Sequence, residues 1–132
     1  MVAGTTLPFQ QQSMLRPPTT SNVVVGPNKA SISFVGAGVN KTIVTSDRFA
    51  ADESAISYTE TIWVRGDDFL AQDITFENTA KPDQGPAAAT SIESDRSTFY
   101  RCGFLGQQAT LHESLQIQFY RDCELYGTVD II

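Results

Sequence analysis

Short runs in which apolar and polar residues alternate recur along this chain from about residue 23 onward. Val, Ile, Phe, Tyr and Thr are frequent in these runs, and Gly, Asn or Asp closes most of them. Alternation with a period of two predicts β-strands, and only "PAAATSIES" has a weakly helical character. The pattern predicts an all-β protein whose clearest strands are "NVVV", "ASISFVGAG", "KTIVTS", "TIWVRGDD", "FLAQDITFEN", "STFYRCGFLG" and "IQFYRDCELYG".

Several runs share one five-residue template: an apolar residue, any residue, an apolar residue, any residue and then a turn residue. The template fits residues 32–36, 74–78, 102–106 and 123–127. The step from Cys102 to Cys123 is 21, the step from Ile74 to Cys102 is 28, and Ile32 precedes Ile74 by 42, or two steps of 21. The step of 28 predicts a longer loop in "TAKPDQGPA". A period near 21 favours a solenoid of parallel strands, a β-helix, and a β-sandwich with coincidentally spaced strands is the alternative.

A β-helix has direct consequences for the repeated residues, because equivalent positions of successive coils stack about 4.8 Å apart. Cys102 would then lie over Cys123, and Phe104 over Leu125, inside the core. Two stacked core thiols and one disulfide between coils are both compatible with that arrangement. Asn78 would stabilise a turn through hydrogen bonds from its side chain to the backbone.

Composition and charge narrow the function classes. The 132 residues suffice for one domain, and we predict a loose arm over residues 1–22, rich in Thr, Gln, Ser and Pro, before a β-helix domain over 23–132.

A formal net charge of −6 argues against a nucleic-acid or anionic-lipid partner. No apolar run reaches the roughly 18 residues of a membrane span. The first residues make a poor secretory signal. No metal-ligand cluster or phosphate loop is visible, so we expect no cofactor.

Three ordered motifs resemble the central block of plant-type pectin methylesterases. They read "GDDFLAQDITFENTA", "STFYRCGFLGQQATL" and "QFYRDCELYGTVD". The resemblance implies a right-handed parallel β-helix that removes methyl esters from homogalacturonan, the backbone of pectin, and releases methanol. It also implies an extracellular, cell-wall location, and a β-helix that is partial here because the family's fold is longer. A partial solenoid would expose its last coil, from which we expect marginal stability or dependence on a partner.

The resemblance assigns roles to four positions. Asp130, in Gly-Thr-Val-Asp, matches the nucleophilic aspartate, and Gln108 matches a glutamine that donates to the developing oxyanion. The family's acid/base aspartate is replaced by Ala109, and its second oxyanion glutamine by Pro86. A family arginine would lie beyond the last residue of this chain. The resemblance therefore implies a pectinesterase with impaired activity, and the alternatives are a pectin-binding protein without catalysis and a degenerate family fragment.

Spacing and two further positions complete the expected site. Gln108 lies six residues past Cys102, and Asp130 lies seven past Cys123, so adjacent coils would bring both side chains to one ester. The alternatives are turn packing for Gln108 and a turn-stabilising hydrogen bond for Asp130. Gln107 and His112 match places where the family has tyrosines near the substrate groove, which makes them candidate substrate-binding residues. The plainer interpretation of His112 is a solvated surface histidine.

Overall fold

Short parallel strands form almost all of the regular structure. The computed structural model describes residues 23–50, 59–81, 83–106, 109–113 and 116–127. Within these ranges the strands are β1 (Val23–Val25), β2 (Ser33–Val35), β3 (Ile43–Ser46), β4 (Ile62–Val64), β5 (Leu70–Gln72), β6 (Thr75–Asn78), β7 (Ala88–Ile92), β8 (Ser97–Tyr100), β9 (Gly103–Gly106), β10 (Ala109–Glu113), β11 (Gln118–Arg121) and β12 (Glu124–Tyr126). The strand β7 lies within the weakly helical window "PAAATSIES", and no helix that could cross a membrane occurs in the described ranges.

The strands form three parallel sheets that run along a solenoid. Their orders are β1-β4-β7-β10, β11-β8-β5-β2 and β12-β9-β6-β3. Each sheet takes one strand from every coil, and all of the pairings are parallel. This confirms the predicted parallel β-helix and excludes the sandwich, whose sheets would be antiparallel.

The predicted repeat is confirmed for three of its four members. Thr75 pairs with Gly103 and Gly103 with Glu124, which reproduces the steps of 28 and 21 along the chain. Phe104 lies between Phe76 and Leu125 in the same register, as expected. The extra residues of the longer step are in the loop between β6 and β7.

The fourth member of the repeat was placed in the wrong sheet. Residues 32–36 contain β2, and Phe34 pairs with Ala71 of β5, not with the strand that follows Ile74. The partner of that strand is β3, where Ile43 pairs with Thr75, a step of 32 along the chain. Because each coil contributes three short strands with the same alternation, the local pattern alone does not identify the sheet to which a strand belongs.

Aromatic rings fill the interior of the solenoid. The ring of Phe69 lies 5.3 Å from that of Phe34 and 5.8 Å from that of Phe99, measured between centroids. Phe104 contacts Phe99 at 5.4 Å and Phe76 at 6.0 Å. All five side chains are buried, and such pairs contribute about 0.5–1.5 kcal/mol each beyond the area they bury.

Cys102 and Cys123 are both free thiols in neighbouring coils, with Cys102 buried and Cys123 half-buried. The Glu124 amide donates to the Cys102 carbonyl at 3.0 Å, which fixes the two cysteines beside each other. A hydrogen bond to Cys123, together with burial, raises the pKa of the Cys102 thiol above its ordinary value. The stacked-thiol alternative is therefore the one that the structure shows.

Tight bends between the second and third sheets use left-handed backbone conformations. Asp73, Arg101 and Asp122 occupy equivalent positions in three coils, with φ values of 57°, 51° and 54°. The Arg101 Nε atom lies 2.7 Å from the Asp73 carboxylate, with both side chains partly exposed. Exposed pairs of this kind stabilise a fold by at most about 1 kcal/mol, so the alternating charges mainly favour one register of the coils.

Candidate active site

Most of the predicted catalytic residues lie outside the described part of the chain. Gln107, Gln108 and Asp130 fall in the undescribed ranges, and of Ala109 and His112 only the backbone is described. Their predicted roles therefore stay predictions. The structure places the backbone that leads to each of them.

The two strands that precede Gln108 and Asp130 in the sequence end side by side. β9 ends at Gly106, and Gly127 directly follows β12. Leu105 pairs with Tyr126 in a parallel register, so Gly106 and Gly127 face each other at the same edge of the sheet. Two residues beyond Gly106 and three beyond Gly127, the chain reaches the predicted oxyanion donor and the predicted nucleophile.

Ala109 begins β10 and pairs with Ala88, the first residue of β7. Two residues before Ala88 is Pro86, at the position expected for the second oxyanion glutamine. Proline has no N–H to donate, and the Pro86 carbonyl accepts a 2.7 Å hydrogen bond from the Ala50 amide. The loop is packed tightly here, because a Cβ on Gly85 would clash with the Ala50 carbonyl oxygen. The described backbone therefore supplies no oxyanion donor at this position.

An open groove runs along the outer face of the sheet formed by β3, β6, β9 and β12. It consists of two adjoining cavities of about 270 Å³ and about 170 Å³. Both cavities are lined by Glu77, Leu105 and Tyr126, and the larger one also reaches Gly106 and Gly127. The groove thus extends to the sheet edge after which Gln108 and Asp130 follow in the sequence.

Asn78 organises the turn after β6, as predicted for this residue. Its side-chain amide donates to the carbonyl oxygens of Arg48, Thr59 and Ala88 at 2.9, 3.0 and 2.9 Å. Its Oδ1 atom accepts from the Ala80 amide at 2.9 Å. Because Ala88 pairs with Ala109, this one side chain links the turn to the strand that begins at the candidate site.

Comparison with known proteins now decides the family. The pectinesterase family model matches residues 19–132. The chain is 47% identical over 102 residues to pectinesterase 2 of Citrus sinensis, covering 77% of this chain and 20% of the citrus protein. The chain belongs to the pectinesterase family.

Solved structures agree with this assignment. The structure of pectin methylesterase from carrot matches with a TM-score of 0.79 and 33% identity, over 93% of this chain and 43% of the carrot chain. A pectin methylesterase solved in complex with a hexasaccharide matches with a TM-score of 0.74 and 24% identity, over 88% of this chain and 40% of that one, and so supports the fold alone. This pectinesterase-family chain spans about a fifth of the length of the citrus relative.

One buried carboxyl group of this pectinesterase-family chain was not anticipated. Glu60 is 1% exposed, and its Oε2 atom has no hydrogen-bond partner among the residues that the structure describes. Burial raises its pKa from 4.5 to about 7; nearby Glu93 adds to the rise, whereas a hydrogen bond to its own backbone amide and the charge of Arg48 oppose it. The segment "TETIWV" carries no signal of this burial, because alternation of polar residues before a strand is typical of a solvated segment.

We expect Glu60 to make the protein less stable as the pH rises from about 4.5 to about 7. Because the folded pKa is raised, the folded state keeps its proton over this range while the unfolded state loses it. The stability contributed by the protonated form is therefore present below pH 4.5 and lost by pH 7. The loss should amount to about 3 kcal/mol in the free energy of unfolding.

Urea denaturation at pH 5 and pH 8, on the unmodified chain and on Glu60→Gln, measures this effect. The glutamine side chain of Glu60→Gln is uncharged at both pH values. The free energy of unfolding of this variant should therefore change much less between pH 5 and pH 8. An equal change in the two proteins would show that Glu60 does not titrate as described.

No group of three or more His, Cys, Asp or Glu side chains in the described ranges is placed to hold a metal ion. The expected independence from cofactors stays a prediction.

Proposed function

We propose that this chain acts on pectin in the plant cell wall as a carboxylic ester hydrolase with strongly reduced activity. Its substrate would be the methyl ester of homogalacturonan. The observation that carries the proposal is the match of the pectinesterase family model to residues 19–132. A cell-wall location is proposed on the same basis, because the citrus and carrot relatives come from plants.

The expected chemistry uses the residues that follow Gly106 and Gly127 in the sequence. The Asp130 carboxylate would attack the ester carbonyl carbon, and the Gln108 amide would donate to the oxygen that becomes negative. Methanol would leave with a proton, and water would then cleave the covalent ester on Asp130. In the family an aspartate at the place of Ala109 would transfer both protons. Alanine can transfer neither, so in this chain a water molecule would have to give the first proton and take the second. Loss of a general acid/base typically slows a reaction by about 10²–10⁴-fold.

A second function, pectin binding without catalysis, is favoured by the pair Ala109 and Pro86. These residues remove a proton carrier and a hydrogen-bond donor from positions that matter for the reaction. The floor of the groove requires neither residue, since strands β3, β6, β9 and β12 form it. A protein of this kind would recognise the polymer and leave its esters intact.

Methanol release from highly methyl-esterified pectin, measured beside binding to immobilised, highly methyl-esterified homogalacturonan, separates these functions. We expect binding, with methanol release at least about 100-fold below that of an active family member. Asp130→Asn is the matched variant, since it removes the nucleophile and keeps the size of the side chain. Methanol release that Asp130→Asn leaves unchanged would contradict the role of Asp130. An absence of both binding and release would refute the proposed function.

A further inference from the structure

The floor of the groove is a row of three outward-facing side chains on neighbouring strands. Glu77, Leu105 and Tyr126 occupy the same register on β6, β9 and β12, so they follow one another in steps of about 4.8 Å. Tyr126 is 56% exposed, although it is a large aromatic residue. Exposed aromatic and aliphatic surface in a groove of this size suits the C–H faces of sugar rings and ester methyl groups.

Two carboxylates give this floor its charge. Glu77 lines both cavities, and Glu124 lines the smaller one. The Oε1 atom of Glu77 accepts a 2.8 Å hydrogen bond from the Thr45 hydroxyl, and the Oε2 atom of Glu124 accepts a 3.0 Å hydrogen bond from the Tyr126 hydroxyl. The second bond raises the pKa of Tyr126, which therefore stays neutral. Neither glutamate forms an ion pair within the described ranges, and none of the described lining residues is basic.

We propose that Glu77 and Glu124 make this groove select methyl-esterified, uncharged galacturonan and reject de-esterified chains. The inference rests on the proposed function, because it assumes that the groove receives pectin. A galacturonate unit is neutral as its methyl ester and negative as its free acid. Like charges brought together at an interface oppose binding, and the opposition is greater in a cleft than on a flat surface. The glutamate oxygens can accept hydrogen bonds from sugar hydroxyl groups of either polymer, so the selection depends on the ester.

Selection by charge also explains how the groove would respond to removal of esters. Each ester removed from a bound stretch creates a new carboxylate facing the two glutamates. Affinity should therefore fall step by step as the methyl-ester content of the polymer decreases. The groove would hold the substrate and release the product.

The test compares the affinity of the full chain for two homogalacturonans, one highly methyl-esterified and one fully de-esterified, at low ionic strength. We expect tighter binding of the esterified polymer. Glu77→Gln should reduce the ratio of the two affinities by about fivefold, since one like-charge contact near 4 Å in water corresponds to that factor. Glu124→Gln should have a smaller effect, because Glu124 lines only the smaller cavity. High salt should reduce the ratio for the unmodified chain.

Asp67→Asn is the matched control, because it removes one exposed carboxylate outside the groove and keeps the oxygen that accepts from the Asp95 amide. The ratio should remain as in the unmodified chain. If Glu77→Gln and Asp67→Asn change the ratio equally, net charge and not the groove sets the preference, and the inference is overturned. Equal binding of both polymers by the unmodified chain also overturns it, while the proposed function stands. Binding to neither polymer refutes the proposed function and the inference with it.

Discussion

Replacing Ala109 by aspartate is expected to raise methanol release from methyl-esterified pectin by about 10²-fold or more, the lower range for a general acid/base. Ala109 is the first residue of β10, and its backbone pairs with Ala88 in a continuous parallel ladder. A carboxylic acid at this strand end would lie one residue past Gln108, at the start of the coil β10–β12 that leads to Asp130. It would protonate the departing methanol and then take a proton from the attacking water.

The measurement is the initial rate of methanol release by Ala109→Asp, with Ala109→Asn as the matched control. Asparagine has nearly the same size and polarity but cannot exchange a proton at neutral pH. The asparagine variant should therefore stay at the rate of the unmodified chain, and adding Asp130→Asn to Ala109→Asp should abolish the gain. No gain in Ala109→Asp would show that loss of proton transfer alone does not explain the low activity. The missing oxyanion donor at Pro86 would then be the next cause to test.

The amino-acid pattern predicted the fold where strand alternation and turn residues agree. In β6, β9 and β12, an inward Phe or Leu lies between two outward residues, and Asn or Gly follows at the turn. These positions form one ladder because their spacing matches a full coil. The pattern failed for β2, since its inward Phe34 has the same local environment as the third strand of a coil. Assigning β2 correctly requires the length of the first coil. In that coil Ile43 precedes its partner Thr75 by 32 residues, and not by 21.

The candidate site was predictable by a different route. Ala109 and Pro86 were identified as replacements only by comparison with a family motif that has an aspartate and a glutamine at these positions. No physical pattern in the sequence indicates that an alanine replaces an acid. Glu60 shows the reverse case. Its burial comes from the packing of the segment before β4 against other coils, and residues near it in the sequence do not reveal that packing. The groove floor was also missed, because its three side chains come from strands in three different coils, β6, β9 and β12, and only their register brings them together.

Asn78→Ala is expected to lower the free energy of unfolding by about 3 kcal/mol or more, the largest effect on stability that we predict. Its side-chain amide has two hydrogens for three carbonyl oxygens, so at least one N–H is shared, and all of these contacts are at 3.0 Å or less. Alanine would leave the three carbonyls and the Ala80 amide without this partner in a place where Asn78 is only 3% exposed. Each buried polar group that loses its partner costs about 1–3 kcal/mol.

Urea denaturation of Asn78→Ala against Asn40→Ala measures the effect, since Asn40 is an exposed asparagine in a turn. The control should change stability by no more than about 0.5 kcal/mol. Asn78→Asp separates donation from acceptance, because aspartate keeps the oxygen that accepts from the Ala80 amide but places a carboxylate against three carbonyl oxygens. It should therefore be at least as destabilising as alanine at neutral pH, and less so at low pH, where the protonated acid regains one donor. If Asn78→Asp is as stable as the unmodified chain, the carbonyl contacts do not hold this turn, and the link from Asn78 through Ala88 to Ala109 loses its basis.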